Sequence, residues 1–268
     1  MKIAIIQNMP GFNKSQNLKE VRDLIPKEDF NILVLPECFN SPYGTQYFKD
    51  YSENISKLEG ETIKFLHELS IEYNTACIIA GSIPERFGRD DNIKYYNTCT
   101  IWKNGQLIDR YRKMHLFDVL DSNGNYVFKE SSVLSRGSSP TIIKTPWGNI
   151  GIGICFDLRF NELSNFYKKN DCKMIFYPGN FTEWSGSKHW QLLLRSRALD
   201  TQCFVIGCST ALNNNMEYKS YGHSLIVNPW GEVLDEFTNK VISNVIDIDL
   251  DVVDQVKKRI PINNIISI

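Results

Sequence analysis

Three residues of this chain combine a reactive side chain with the end of an apolar run. They are Glu37 in LVLPECF, Lys113 in DRYRKMHLFD and Cys155 in GIGICFD. A thiol can serve as nucleophile, a carboxylate can carry its proton, and an ammonium can hold a developing oxyanion. Brought together, the three suit acyl transfer. Each also has an ordinary reading by itself. Free cysteines are mostly buried and inert, and an isolated glutamate or lysine at a strand end is usually solvated. Cys155 stands out because a helical pattern follows it, with Phe160, Leu163, Phe166 and Tyr167 on one face. A cysteine at a strand-to-helix corner sits near the unpaired N–H groups that open a helix, so a lowered thiol pKa is expected there.

The surrounding elements must position these groups. In the first half, Ile3–Gln7, Ile32–Leu35 and Ala76–Ile83 read as strands, the last ended by Pro84. Gln16–Ile25 and Glu61–Tyr73 read as helices. Tyr96–Trp102 and Gln106–Tyr111 flank Asn104-Gly105, a hairpin turn signal. In the second half, Thr141–Thr145 and Asn149–Ile154 flank Pro146-Trp147-Gly148. Helix Leu158–Asn170, strand Met174–Tyr177, helix Lys188–Asp200 and strand Phe204–Cys208 follow. A second hairpin joins His223–Val227 to Glu232–Phe237. Val241–Ile248 is a last strand and Val252–Lys258 a last helix. Apolar strands of this kind need helices over a face. The pattern fits a four-layer α-β-β-α sandwich in one α/β domain, and equally a doubly wound α/β sheet. In either, sites form at strand ends, where Glu37, Lys113 and Cys155 stand.

Composition narrows the function. Hydrophobic content of 42% and charged content of 23% are those of a globular protein, and a net charge of -1 offers no footprint for a polyanion. Neither a nucleic-acid nor a membrane partner is expected. The apolar run at the N-terminus, Ile3 to Ile6, is too short for a signal peptide or a membrane span. Seven cysteines without a CxxC pair argue against both a disulfide framework and a zinc site, and point to a cytoplasmic setting. The four histidines have no paired spacing and read as packing or hydrogen-bonding groups rather than metal ligands.

The words around the three reactive residues resemble those of the nitrilase, or carbon-nitrogen hydrolase, superfamily, over nearly the whole chain. They are LVLPECF, YRKMHL and GIGICFDLRF, supported by HWQLLLRSRALDTQCFV and GHSLIVNPWGEVL. The resemblance implies the α-β-β-α sandwich for residues 1–268, a homodimer, and no metal or cofactor. Within the superfamily the chain is most similar to the omega-amidase branch, through ECFNSPYG, KMHLFD and FKESSVLSRG. That branch removes the terminal amide of small dicarboxylate monoamides such as 2-oxoglutaramate and 2-oxosuccinamate. A deaminated-glutathione amidase is the neighbouring alternative, and a non-catalytic scaffold a remote one.

The resemblance also implies roles. Cys155 is the nucleophile, Glu37 the proton shuttle, Lys113 the oxyanion clamp with the backbone N–H of Phe156, and Glu130 a fourth polar residue that positions Lys113. A free carboxylate on the substrate calls for a cation. Arg159, Lys188 and Arg195 are candidates, Tyr43 can add a hydroxyl, and Asn180 and Phe181 are expected to line the pocket. Arg159 has an alternative role, tying the helix start to a neighbouring acid. Trp184, Trp190 and Trp230 read as core. The segment GNFTEWSGSKHW departs from the branch at Asn180, Glu183, Trp184 and Lys188.

Overall fold

The structure, a computed structural model, describes residues 1–89 and 92–262. The elements run β1 (Lys2–Gln7), α1 (Lys14–Asp23), β2 (Ile32–Val34), α2 (Glu61–Glu72), β3 (Cys77–Phe87), β4 (Lys94–Lys103) and β5 (Gln106–Arg112). A small hairpin, β6 (Asp118–Leu120) and β7 (Tyr126–Lys129), follows. The chain continues through β8 (Ile142–Thr145), β9 (Gly148–Ile152), α3 (Asn161–Lys169), β10 (Cys172–Gly179) and α4 (Glu183–Thr201). It ends with β11 (Phe204–Ser209), β12 (Leu225–Val227), β13 (Val233–Glu236), β14 (Ile242–Asp247) and α5 (Asp251–Arg259).

Two six-stranded sheets form, ordered β14-β1-β2-β3-β4-β5 and β13-β12-β11-β10-β9-β8. Their central strands are parallel, with Ile3 opposite Ile32 in one and Met174 opposite Phe204 in the other. Strand alternation explains the layering. Ile3, Ile5, Ile32, Val34, Cys77 and Ile79 join a cluster with second-sheet residues such as Ile152 and Ile206. The residues between them, Ala4, Ile6, Leu33, Leu35, Ile78 and Ala80, pack instead with Leu18 and Val21 of α1 and Leu66 and Leu69 of α2. On the far side, Tyr167 of α3 and Leu194 of α4 cover the second sheet. The result is the α-β-β-α sandwich. Each such aliphatic side chain, fully buried, is worth roughly 1.5–3 kcal/mol.

Several boundaries differ from the sequence expectations. Pro84 does not end β3, which continues to Phe87. Pairing with β2 stops at Ile79, and the Pro84 carbonyl accepts from Glu53 on that open side. The missing N–H therefore lies away from β4 and breaks no ladder bond. The helix expected from Leu158 starts at Asn161, because the chain first makes a short 3-10 turn over Cys155–Arg159. Helix α4 begins at Glu183, five residues before the expected start, capped by the Thr182 side chain on Ser185. The β6–β7 hairpin was not expected, although its turn contains Asn123-Gly124, with Asp121 accepting from the amides of Asn123 and Asn125.

Candidate active site

Glu37 lies three residues beyond β2, Lys113 directly follows β5, and Cys155 lies three beyond β9. All three are buried, with Cys155 only 4% exposed. The sandwich brings them together. Lys113 Nζ donates to Glu37 Oε1 at 3.0 Å and to Glu130 Oε1 at 3.0 Å. Asn97 Nδ2 donates to the same Glu37 oxygen at 2.8 Å, while Glu37 Oε2 has no hydrogen-bond partner among the described residues. Glu130 opens a 3-10 turn after β7. Its Oε1 also accepts the Tyr43 hydroxyl at 2.6 Å, and its Oε2 accepts the Phe117 amide at 2.7 Å.

The electrostatics follow from this burial. Desolvation would pull the Lys113 pKa down, but the charges of Glu130 and Glu37 outweigh it and hold it well above the ordinary range. Glu37 is pushed up by desolvation, against the opposing pull of Lys113. Cys155 is also pushed well above a normal thiol, first by desolvation and then by the Glu37 charge. Lys113 and the Asn180 amide oppose this without prevailing. The expected lowering of the Cys155 pKa is thus corrected. The turn after Cys155 is a five-residue 3-10 segment, and a buried carboxylate faces the sulfur. Burial and the neighbouring Glu37 carboxylate therefore favour the thiol of Cys155 over a free thiolate.

Asp157 fixes both the cysteine turn and the segment around Lys113. Its Oδ2 accepts the Ile154 amide at 2.9 Å and the Tyr111 hydroxyl at 2.8 Å. Its Oδ1 accepts the His115 amide at 2.9 Å and lies 2.7 Å from His115 Nδ1. Arg197 of α4, also buried, donates to the carbonyls of Leu158 and Arg159 at 3.0 and 3.3 Å. Gly151 lets Tyr167 close over β9, since a Cβ there would lie 2.4 Å from the Tyr167 ring. Cys155 itself has φ 49°, a left-handed conformation that swings its side chain out of the strand direction.

A narrow gap of about 10 Å³ bordered by Cys155, Asn180 and Phe181 adjoins a cavity of about 800 Å³. Phe117, Phe156, Arg159, Ser185 and Tyr218 border both. The Arg159 guanidinium is half-buried, 5.6 Å from the Phe156 ring centroid and 5.1 Å from that of Phe181. No carboxylate pairs with it among the described residues; its side-chain polar contact is His189 Nδ1 at 3.3 Å. The structure therefore does not place it in the alternative role of tying the helix start to an acid. Asn180 is buried, and its Oδ1 has no partner among the described residues.

Other candidates fall elsewhere. Lys188 is exposed on α4, 4.1 Å from the Trp184 ring centroid, and does not border the cavity. Arg195 donates to the Gly231 carbonyl at 2.8 Å, away from the site. The Tyr43 hydroxyl is committed to Glu130. Trp190 is core, but Trp184 is 71% exposed at the cavity rim, because the early start of α4 turns it outward. Sequence reasoning missed Asn97, Tyr218 and the bridging role of Asp157. Asn97 sits in an apolar strand pattern with no local signal, whereas Asp157 stood inside the GIGICFD word itself. Among the described residues no group of His, Cys, Asp and Glu has the arrangement of a metal site, and no helix is long and apolar enough to cross a membrane.

Residues 2–258 match the carbon-nitrogen hydrolase family. The omega-amidase NIT2 of Bos taurus is 42% identical over 97% of this chain and 93% of its own length. The omega-amidase NIT2 of Homo sapiens is 40% identical over the same shares. The crystal structure of Saccharomyces cerevisiae Nit3, a member of branch 10 of the nitrilase superfamily, superposes with a TM-score of 0.88. It is 36% identical, and the match covers 98% of this chain and 95% of that one. With this family match spanning the fold and all of the buried Glu-Lys-Cys cluster, the chain belongs to the carbon-nitrogen hydrolase family and is an amide-hydrolysing enzyme.

Proposed function

We propose that this enzyme is an omega-amidase that hydrolyses the terminal amide of small dicarboxylate monoamides, of the 2-oxoglutaramate and 2-oxosuccinamate kind, through a Cys155 thioester. The similarity to omega-amidases supports the reaction class. The observation that carries the substrate class is Arg159, a cation without an acidic partner among the described residues, which borders both the large cavity and the narrow gap beside Cys155.

In this reading Glu37 takes the Cys155 proton as the sulfur attacks the amide carbon. The oxyanion is held by Lys113 Nζ and by the Phe156 N–H, which the start of a helical turn leaves without an intrahelical partner. Glu37 returns the proton to the nitrogen, the C–N bond breaks and ammonia leaves. A water then gives its proton to Glu37 and attacks the thioester. Collapse releases the acid, and the proton goes back to the sulfur. Glu130 holds Lys113 in place, and Arg159 pairs with the distal carboxylate. The same reading carries a cytoplasmic homodimer, which sedimentation and cell fractionation test.

A second reading has its own support. The cavity of about 800 Å³ exceeds what a four- or five-carbon acid fills, and aromatic side chains border it. A larger amide, such as deaminated glutathione, fits that space. Ammonia release from 2-oxoglutaramate, succinamate, deaminated glutathione and a nitrile separates the two. A preference for the short monoamides supports the omega-amidase; preferential turnover of the peptide-like amide replaces it.

A further inference from the structure

Glu37 has two kinds of support. Asn97 and Lys113 hold its carboxylate, but neither touches the backbone that carries it. Regular structure does not hold that backbone, because β2 ends at Val34. Directly after Glu37 the chain turns sharply, with Cys38 at φ 52°. Something outside the segment must fix its direction.

That something is an irregularity in β3. Its register against β4 shifts between Ala80 and Ile83, so Gly81 and Ser82 leave the ladder. Gly81 has φ 44°, and a Cβ there would lie 2.0 Å from the Pro36 carbonyl oxygen. The displaced residues therefore press on the peptide group before Glu37. The Ser82 amide donates to the Pro36 carbonyl at 3.2 Å, and the Ser82 Oγ accepts from the Cys38 amide at 3.2 Å. The first contact holds the peptide group preceding Glu37, the second the one following it. Ser82 is fully buried, so water cannot replace either contact.

We infer that Ser82 is a positioning residue for Glu37, bracketing it through both flanking peptide groups so that its carboxylate stays aimed at Cys155. The inference rests on the reading of Glu37 as the proton shuttle. Ser82 touches no substrate, and its effect passes through the base alone. Misplacing a catalytic group by an ångström costs about 10²-fold. Removing one of two brackets should therefore cost about tenfold in kcat, on the scale of that same effect.

The test uses purified full-length Ser82→Ala, Ser82→Thr, Ser82→Cys and Glu37→Gln, with kcat, KM, the pH profile of kcat/KM and thermal unfolding measured for each. Ser82→Ala should lower kcat while KM stays near the wild-type value. Its acid limb should move to higher pH, because a loosened Glu37 loses part of the Lys113 charge that opposes its protonation. The titratable groups that face Glu37, namely Lys113, Glu130 and the Cys155 thiol, are themselves unchanged in this variant. Ser82→Thr keeps the acceptor and should recover kcat. If Ser82→Ala does not fold, Ser82→Cys, with a weaker acceptor in the same place, should show the lowered kcat and shifted limb. Wild-type kcat and acid limb in whichever of these two folds overturn the inference. Turnover retained by Glu37→Gln would instead sink the shuttle reading itself. An inactive Glu37→Gln beside an unaffected Ser82→Ala removes the positioning role only.

Discussion

The hydroxyl of Tyr43 donates to Glu130 Oε1 over 2.6 Å, the same oxygen that receives Lys113 Nζ. A tyrosine on the cavity wall is therefore part of the support of the lysine rather than a free hydroxyl for substrate. Tyr43→Phe should cost about 1.5–3 kcal/mol of stability, the worth of a hydrogen bond to a charged group. It should leave KM for a carboxylate-bearing amide nearly unchanged. A raised KM with unchanged thermal stability would return Tyr43 to substrate binding.

Glu37 makes Cys155 harder to ionise through its charge. Glu37→Gln should then have two opposite effects. Turnover should fall by at least about a hundredfold, the lower range for losing a general base. Alkylation of Cys155 by iodoacetamide should set in at lower pH than in the wild type, because a raising charge is gone. Mass spectrometry across a pH series reads both Cys155 and the other six cysteines. An alkylation midpoint that rises or stays fixed would contradict the arrangement of base and thiol.

The acid limb of kcat/KM should report the same carboxylate. The Glu37 pKa is raised above 4.5 by desolvation. The proposed proton shuttle needs the ionised form, so activity should fall as pH drops through a value above the ordinary carboxylate range. The linkage sign for stability runs the other way. A raised folded-state pKa contributes stability below the unfolded value and loses it as pH rises through the folded one. Glu37→Gln should flatten that part of the stability profile while abolishing turnover. A limb at or below 4.5 would remove Glu37 as its source.

Lys113→Met should be the most disruptive single change at the site. It leaves the Glu37 and Glu130 carboxylates buried without their shared cation. Breaking a buried ion pair from one side costs roughly 3–5 kcal/mol. Calorimetry should show this loss together with a drop in kcat of at least about a hundredfold, the scale of a missing oxyanion donor. Near-normal thermal stability would mean that the two acids find another partner.

Arg159→Met should erase the preference for a free carboxylate. In the wild type, an amide bearing the acid should beat its methyl ester by more than about tenfold in kcat/KM, or about 1.4 kcal/mol. The variant should bring the two rates together, while Lys188→Ala should not. A wild-type enzyme that treats acid and ester alike would end the carboxylate-binding idea.

Much of this was legible in the residues, for identifiable reasons. Glu37, Lys113 and Cys155 each ended an apolar run, and strand ends are where an α/β fold builds sites. The two faces of the first sheet followed from strict alternation in residues such as Ile3, Ala4, Ile5 and Ile6. What was not legible depended on contacts distant in sequence. The raised Cys155 pKa comes first from burial in the assembled sandwich and then from a carboxylate 118 positions earlier in the chain (155 − 37). The assignment of Tyr43 to Glu130 spans 87 residues. The early start of α4 was missed because Gly186 and three serines or threonines around it dilute the helical pattern, while the Thr182 cap sets the boundary.

The left-handed backbone at Cys155 limits how this enzyme can be re-engineered. At φ 49° an unbranched side chain such as serine is accommodated, whereas a β-branched one meets its own backbone. A hydroxyl nucleophile can therefore be installed at this corner as serine and not as threonine. The choice of replacement chemistry is made by a torsion angle before reactivity enters.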